Sequence, residues 1–309
     1  MQEKLLTLED FDFSRTKVDI EEIKKFDSED QFMSLAVELL KEVGQITAVL
    51  SCAYKLDEKN HPKKWTRNEA ILGGLMVRIC KLQSGLLDQT CQKRGEIMFI
   101  LLRCLAESLV NLYYLLKNNN DVLYDEYVAS SLTEEKNLLD KIQKNIENRG
   151  YERPIEIRMK NSIERAFKKS SFSYKQINSK KGKKWGKNLY ERTKNIEMES
   201  SYFALFGLPS HAVHGNWQDL ITYHLNYENG VFSPNLNWGY PRPQPLFAAA
   251  LLSAKTNKLY LNDVISKCSN KNQINKLLDD FLSRVYKADE LHEQFLQKNN
   301  NKAVYEGKM

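Results

Sequence analysis

Turn-forming residues are scarce in this chain, with 7 prolines and 13 glycines among 309 residues. Long elements and few turns are implied. Cysteine is scarce too: Cys52, Cys80, Cys91, Cys104 and Cys268 are an odd number, and none makes a Cys-x-x-Cys pair. That absence argues against a zinc ribbon or a dithiol redox centre, and four of the five lie in apolar helical runs, which predicts buried free thiols. The N-terminal "MQEKLLTLEDFDFSRTK" has acids inside its short apolar run and no small-residue cleavage site. It does not read as a signal peptide, and the expected location is the cytoplasm. An uninterrupted membrane span is also missing. The most apolar segment, Ile97 to Leu116, has the length of one but carries Arg103 and Glu107 near its middle. Each would cost several kcal/mol in lipid, on the order of 3 per charge. A buried helix and no membrane partner are expected.

What is present is a globular composition, 42% hydrophobic and 28% charged, dominated by helical periodicity. Apolar residues recur at three- and four-residue intervals from Ser28 to Tyr54. "TRNE", Thr66 to Glu69, is a capping box that opens a second helix running to about Gln92. A third runs from Glu96 to Lys117, a fourth from Asp121 to Asn148 before Gly150, and Pro154 starts a fifth. Arg165 to Tyr190 then holds nine basic residues and no acid, which predicts a basic loop at about 170–187. A sixth helix is expected from Asn188 to Phe206. Around Asn229-Gly230 the alternation of "LITYHLNYENGVFSPNLN" is the best hairpin signal in the chain. Two closing helices are expected at 245–268 and 271–298. The fold class is therefore all-α, a multi-helix bundle with a small β-hairpin. It is organised as an N-terminal arm (1–27), a single helical domain (28–298) and a frayed tail (299–309).

The chemistry-bearing residues fall into groups. Arg103, Glu107 and Asn111 lie at i, i+4 and i+8 of the third helix and form one polar stripe on an otherwise apolar cylinder. They read either as a buried ion pair that fixes helix register or as the wall of a cleft where Arg103 meets an anion. Arg78 and Lys81, one turn apart on the second helix, either face that cleft or snorkel to solvent. "GLPSHAVHGNW" places His211 and His214 three residues apart, a spacing that suits a base and acid pair. Ser210 is positioned to cap that turn. Zinc there would need Glu107 as a third ligand. His224 is assigned to the polar face of the hairpin, and His61 and His292 to exposed charged segments. Trp185, inside the basic run "KKGKKWGK", is placed to stack on a base.

Three segments carry a resemblance: "LLRCLAESLVNLYYLL", "WGKNLYERTKNIEMESSYFALFGLPSHAVHGNW" and "LNYENGVF". In order and spacing the chain resembles a largely bacterial helical family catalogued as domain of unknown function 5677, over roughly Trp65 to Pro234. The resemblance implies an Arg-x-x-x-Glu helix (Arg103, Glu107), a tryptophan (Trp185), a tyrosine-bearing helix (Tyr202) and a Ser-x-x-His-Gly type motif. The last falls on Ser210 with His211 or His214 and Gly215. The trio of Arg, Glu and His is also similar to helical nucleotide-binding and ribonuclease domains of prokaryotic defence systems, which pair an arginine with a histidine a few residues later. Here no arginine lies four to six residues before His211, His214 or His224, so any such pair must assemble across helices.

The leading functional expectation is a metal-independent ribonuclease, a toxin or phage-defence effector, with no cofactor. His214 and His211 exchange protons, Arg103 stabilises the phosphorane, and Glu107 orients Arg103 or His214. Arg78, Lys81, Asn111, Trp185, Tyr202 and Ser210 are the substrate-binding candidates, for RNA or another phosphate-bearing ligand. The alternative is a non-enzymatic helical module that binds a nucleotide or a partner protein, with Arg103, Glu107 and the histidines as a buried polar network; a homo-oligomer is a separate partner expectation. Metal-dependent hydrolysis through Glu107, His211 and His214 ranks third.

Overall fold

Capping signals fix most helix ends in the computed structural model, which describes residues 13–53, 61–177, 185–199, 202–265 and 271–305. Asp19 accepts from the first N–H groups of α1 (Ile20–Ile23), and Gln31 reaches back to Ser28 at the start of α2 (Glu29–Ser51). The Thr66–Glu69 box opens α3 (Arg67–Cys91), which leads into α4 (Gly95–Asn118). Asn120 caps α5 (Asp121–Arg149), which stops at Gly150, and Pro154 begins α6 (Pro154–Ser170). After α7 (Leu189–Asn195) the chain takes a π-helical turn (Phe203–Gly207) into α8 (Leu208–His214). Next come α9 (Trp217–Asp219), a second π-helical turn (Leu220–His224), and the antiparallel strands β1 (Leu225–Glu228) and β2 (Val231–Pro234). Finally α10 (Pro243–Asp263) and α11 (Lys271–Tyr305) close an all-α bundle that carries one small hairpin.

The centre of the bundle is α4, which packs against α3, α5, α7, α8 and α10, while α2 joins α3 and α10 from the far side. Leu102, Leu105, Ala106, Leu109, Val110 and Leu112 are all at most 1% exposed. Both α3 and α4 are long and apolar enough to cross a membrane, but α4 has most of its apolar window enclosed by other helices. Beyond the bundle, α5 and α6 pair into an arm with its own small core of Leu132, Leu139, Ile142, Ile163 and Phe167.

Polar residues tie the layers together. Glu42 on α2 and Arg284 on α11 form a two-point ion pair, with Nη2 to Oε1 at 2.6 Å and Nη1 to Oε2 at 2.9 Å. Both are almost fully buried. Asp280 and the Thr16 carbonyl each accept one further guanidinium N–H, and the Thr16 N–H donates to Glu42. Burial works against the charged guanidinium, but the bonds to Glu42 and Asp280 outweigh it and hold the Arg284 pKa above its ordinary value. Removing one member of such a pair typically costs about 3–5 kcal/mol, because the other is left buried and uncompensated. The same network pins the described part of the N-terminal arm to the core.

Several expectations change. The helix expected from Asn188 to Phe206 is broken: α7 ends at Asn195 and Glu197 has φ +61. Pro209 sits in the first turn of α8. It has no N–H to donate and its ring crowds the preceding carbonyls, so an α-helix cannot run through it, and the chain widens into a π turn instead. The thiols are free, but they are not buried: Cys52 and Cys91 are exposed where α2 and α3 end, and Cys80 and Cys104 are half-buried. Cys268 and the centre of the basic loop, residues 178–184, lie outside the described residues. The last helix continues past Lys298 to Tyr305.

His292 is the largest reversal, since it is fully buried rather than exposed. It packs against Phe32 at 4.8 Å, with Phe247 and Phe295 around it, and its Nε2 lies 3.5 Å from Glu29 Oε1. Burial lowers its pKa below the ordinary 6.5, against the opposing pull of Glu29 and Glu293. The folded state therefore binds this proton less readily than the unfolded chain. Stability from this site is complete above pH 6.5 and is lost as pH falls below it. His292→Phe should flatten the fall in unfolding free energy between pH 7 and 5, by at most about 1.4 kcal/mol per pH unit, in denaturant titrations. An unchanged slope contradicts the assignment.

Candidate functional site

The polar stripe of α4 is left partly open. Arg103 donates from Nη1 to Glu107 Oε2 at 3.0 Å, and its guanidinium lies 4.7 Å from the centre of the Phe206 ring, on the π turn before α8. The Arg103 side chain is 23% exposed and that of Glu107 46%. A pair this open adds less than about 1 kcal/mol. In place of a sealed ion pair the helix carries a half-open one, with Arg103 braced by an aromatic face.

One turn further along α4, Asn111 accepts from Nη1 of Arg192 at 2.5 Å. Arg192 comes from α7 and is 7% exposed, with its guanidinium 4.1 Å from the centre of the Trp185 ring. Tyr127 and Tyr114 meet that ring edge-on. Burial lowers the Arg192 pKa, opposed by Glu107, Tyr114 and Tyr127. Its Nε has no hydrogen-bond partner, and no carboxylate lies within ion-pair distance among the described residues. Sequence reasoning missed this arginine because "YERTKN" reads as an ordinary charged helix. The tryptophan expected to stack on a base already has a cation against it.

The remaining binding candidates are dispersed. Arg78 reaches α4 by donating from Nε to Ser108 Oγ at 3.0 Å, whereas Lys81 is exposed and, among the described residues, unpaired. Tyr202 stands between Tyr190 and Phe206, each at 5.1 Å between ring centres. Ser210 does not cap the histidine turn, because its hydroxyl donates to the Phe206 carbonyl at 2.5 Å.

The histidines sit on α8, which packs on α4 and ends where Gly215 takes a left-handed φ of +54. His211 is half-buried and His214 exposed. Asn216 fixes the state of His211. Its Oδ1 accepts the Asp219 N–H as the cap of α9, so its amide nitrogen must face His211 Nδ1, 2.6 Å away. An amide N–H on Nδ1 leaves the ring proton on Nε2. Among the described residues, His214 makes no hydrogen bond or ion pair, and neither histidine is joined to Arg103 or Glu107 by one.

His224 does not belong to the hairpin's polar face, as its place in the sequence suggests, but ends the second π turn, where its Nε2 lies 3.2 Å from Asp219 Oδ2. Asp219 is 4% exposed, and its Oδ1 has no hydrogen-bond partner among the described residues. Their five-residue separation matches one turn of π-helix and would not align them on an α-helix. No group of three His, Cys, Asp or Glu able to hold a metal ion occurs among the described residues. Glu107, His211 and His214 are therefore not assembled as a ligand set.

The model of one family, described as "Family of unknown function (DUF5677)", matches residues 69–232, from the first turn of α3 to β2. That is more than half of the 309 residues, and the chain belongs to this family. No curated protein and no solved structure matches it. The matched segment contains the α4 stripe, Arg192 and all three histidines between α8 and β1.

The Asn216 geometry is directly measurable. Nitrogen-15 spectra of labelled histidine at pH 8 should show His211 as the Nε2–H tautomer in the wild type and as a tautomer mixture in Asn216→Ala. A wild-type His211 protonated at Nδ1 would refute it.

Proposed function

We propose that this DUF5677 chain is a metal-independent ribonuclease, an effector of the toxin or phage-defence kind, acting on the face where α8 packs on α4. The observation that carries this reading is a helix presenting one exposed imidazole, unpaired among the described residues, and one of fixed tautomer, packed on the helix that holds a half-open arginine. In RNA the 2′-hydroxyl is the nucleophile, so the protein needs a proton carrier and a stabiliser of the phosphorane rather than a nucleophile of its own.

His214 takes the proton of the 2′-hydroxyl as the new P–O bond forms. It returns that proton to the 5′-oxygen as the old bond breaks, leaving a 2′,3′-cyclic phosphate and a 5′-hydroxyl. Arg103, held by Glu107 and Phe206, faces the charge that builds on the phosphoryl oxygens. The spacing of the two histidines alone makes His211 the complementary acid. With Nδ1 occupied by Asn216 it is instead a neutral Nε2–H donor, so its role is a hydrogen bond to a phosphoryl oxygen.

A second reading is favoured by Arg192 alone. A buried guanidinium with no carboxylate partner among the described residues is what a nucleotide-binding module would keep for a phosphate. That module binds mononucleotides without turnover, which separates it from the first reading.

The test is cleavage of a defined RNA with a chelator present, beside a DNA of the same sequence. The wild type should cut only the RNA and leave 2′,3′-cyclic ends. His214→Ala and Arg103→Ala, shown to be folded by circular dichroism, should each be slower by about 100-fold or more. No cleavage, or cleavage indifferent to both substitutions, overturns the proposal.

A further inference from the structure

The hairpin after the histidine helix has an apolar face that no described residue covers. A two-residue turn with both residues at positive φ, Asn229 at +51 and Gly230 at +81, fixes its register. Alternation then puts Leu225, Tyr227, Phe232 and Pro234 on one face, and Asn226, Glu228, Val231 and Ser233 on the other. Such a pattern belongs to a ribbon with one covered side. Here Tyr227 is 64% exposed and Phe232 48%, and Trp217 from α9 extends their cluster while remaining 58% exposed. The rings touch one another, with Tyr227 and Phe232 at 4.5 Å and Trp217 and Phe232 at 5.7 Å. Leu236, just past β2, is 93% exposed. An isolated two-stranded hairpin is marginal in water.

Charge narrows what covers this face. Lys and Arg number 46 in 309 residues, yet residues 195–241 contain none. A partner recognised through phosphates or acidic side chains would be met by cations, and among the described residues none lies over Trp217, Tyr227 or Phe232, since Lys93 and Arg94 lie instead against Tyr240 and Trp238, past the hairpin. For a second copy of this chain the gap has the opposite meaning. With a net charge of +6, two copies repel, and they approach most closely where neither presents a lysine or an arginine. The area agrees as well. Three large rings about half to two-thirds uncovered leave on the order of 350 Å² of apolar surface at the centre of the face. One partner of a standard interface contributes about 800 Å², the remainder being polar rim.

We infer that the Trp217, Tyr227 and Phe232 face is an isologous interface between two copies of this chain. The two hairpins pack face to face across a twofold axis, so each ring cluster covers the other. Extension along β2 is disfavoured, because the outward position at Pro234 has no N–H to donate. This inference does not depend on the ribonuclease reading.

Sedimentation equilibrium of the full chain tests it. The wild type should sediment at twice 36.0 kDa at micromolar concentration. Tyr227→Lys and Leu236→Lys, both at exposed positions, should each raise the dimer dissociation constant at least tenfold. Val122→Lys, an equally exposed apolar position on α5, should leave it unchanged. A wild type that stays monomeric at 100 μM, as a measurement of order ~10⁻⁴ M affinity, overturns the inference. So does a dimer that both hairpin variants retain, or one that Val122→Lys disrupts to the same degree.

Discussion

The structure depends on enclosing α4. A helix that is apolar nearly all round has to be covered on nearly all sides, and α3, α5, α7, α8 and α10 do this. Arg103, Glu107 and Asn111 are the positions that cannot be covered by apolar side chains without stranding a charge or an amide. The segments that close over this stripe therefore bring particular partners: Phe206 beneath Arg103, and Arg192 against Asn111. The stripe stays partly open, and α8 lies beside it with both histidines. One packing requirement thus sets the architecture and also leaves the polar face on which a ligand can act.

Where a few adjacent residues settle the outcome, the sequence was readable. Thr66 with Glu69, Asn120, Gly150, Pro154 and Asn229-Gly230 each act within one turn, and the helix or hairpin they announce is where they place it. The period of the third predicted helix identified the central element, and Arg103 to Glu107 did form its pair. Legibility failed where geometry departs from the α period. The two π turns shift the phase of the residues beyond them, so Asp219 and His224 become partners, whereas the helix expected through Phe206 ends earlier, at Asn195, where Glu197 turns to positive φ. His292 failed for another reason. The charges beside it suggested solvent, but Val285, Ala288 and Leu291 share its buried side of α11.

The distribution of cations organises the functional picture. Residues 195–241 carry two π turns, three histidines and the hairpin without a lysine or an arginine. Any phosphate engaged by these histidines must be met by guanidinium groups from elsewhere, namely Arg103 on α4 and, further along, Arg192 and Arg78. In the proposed site, proton transfer and charge stabilisation thus come from different layers of the bundle. Their alignment rests on how α8 is seated on α4, and Asn216 and Phe206 hold the two ends of that arrangement.

The most direct test of the central claim, that the α4 stripe and the α8 histidines make one site, is a nuclear magnetic resonance titration of protein with labelled arginine and histidine. The titrant is a short all-deoxy oligonucleotide, which lacks the 2′-hydroxyl and cannot be cleaved by this chemistry. The account predicts that the Arg103 and His214 resonances move together and fit one dissociation constant. Perturbation of either residue without the other, or of neither while signals elsewhere move, would contradict it.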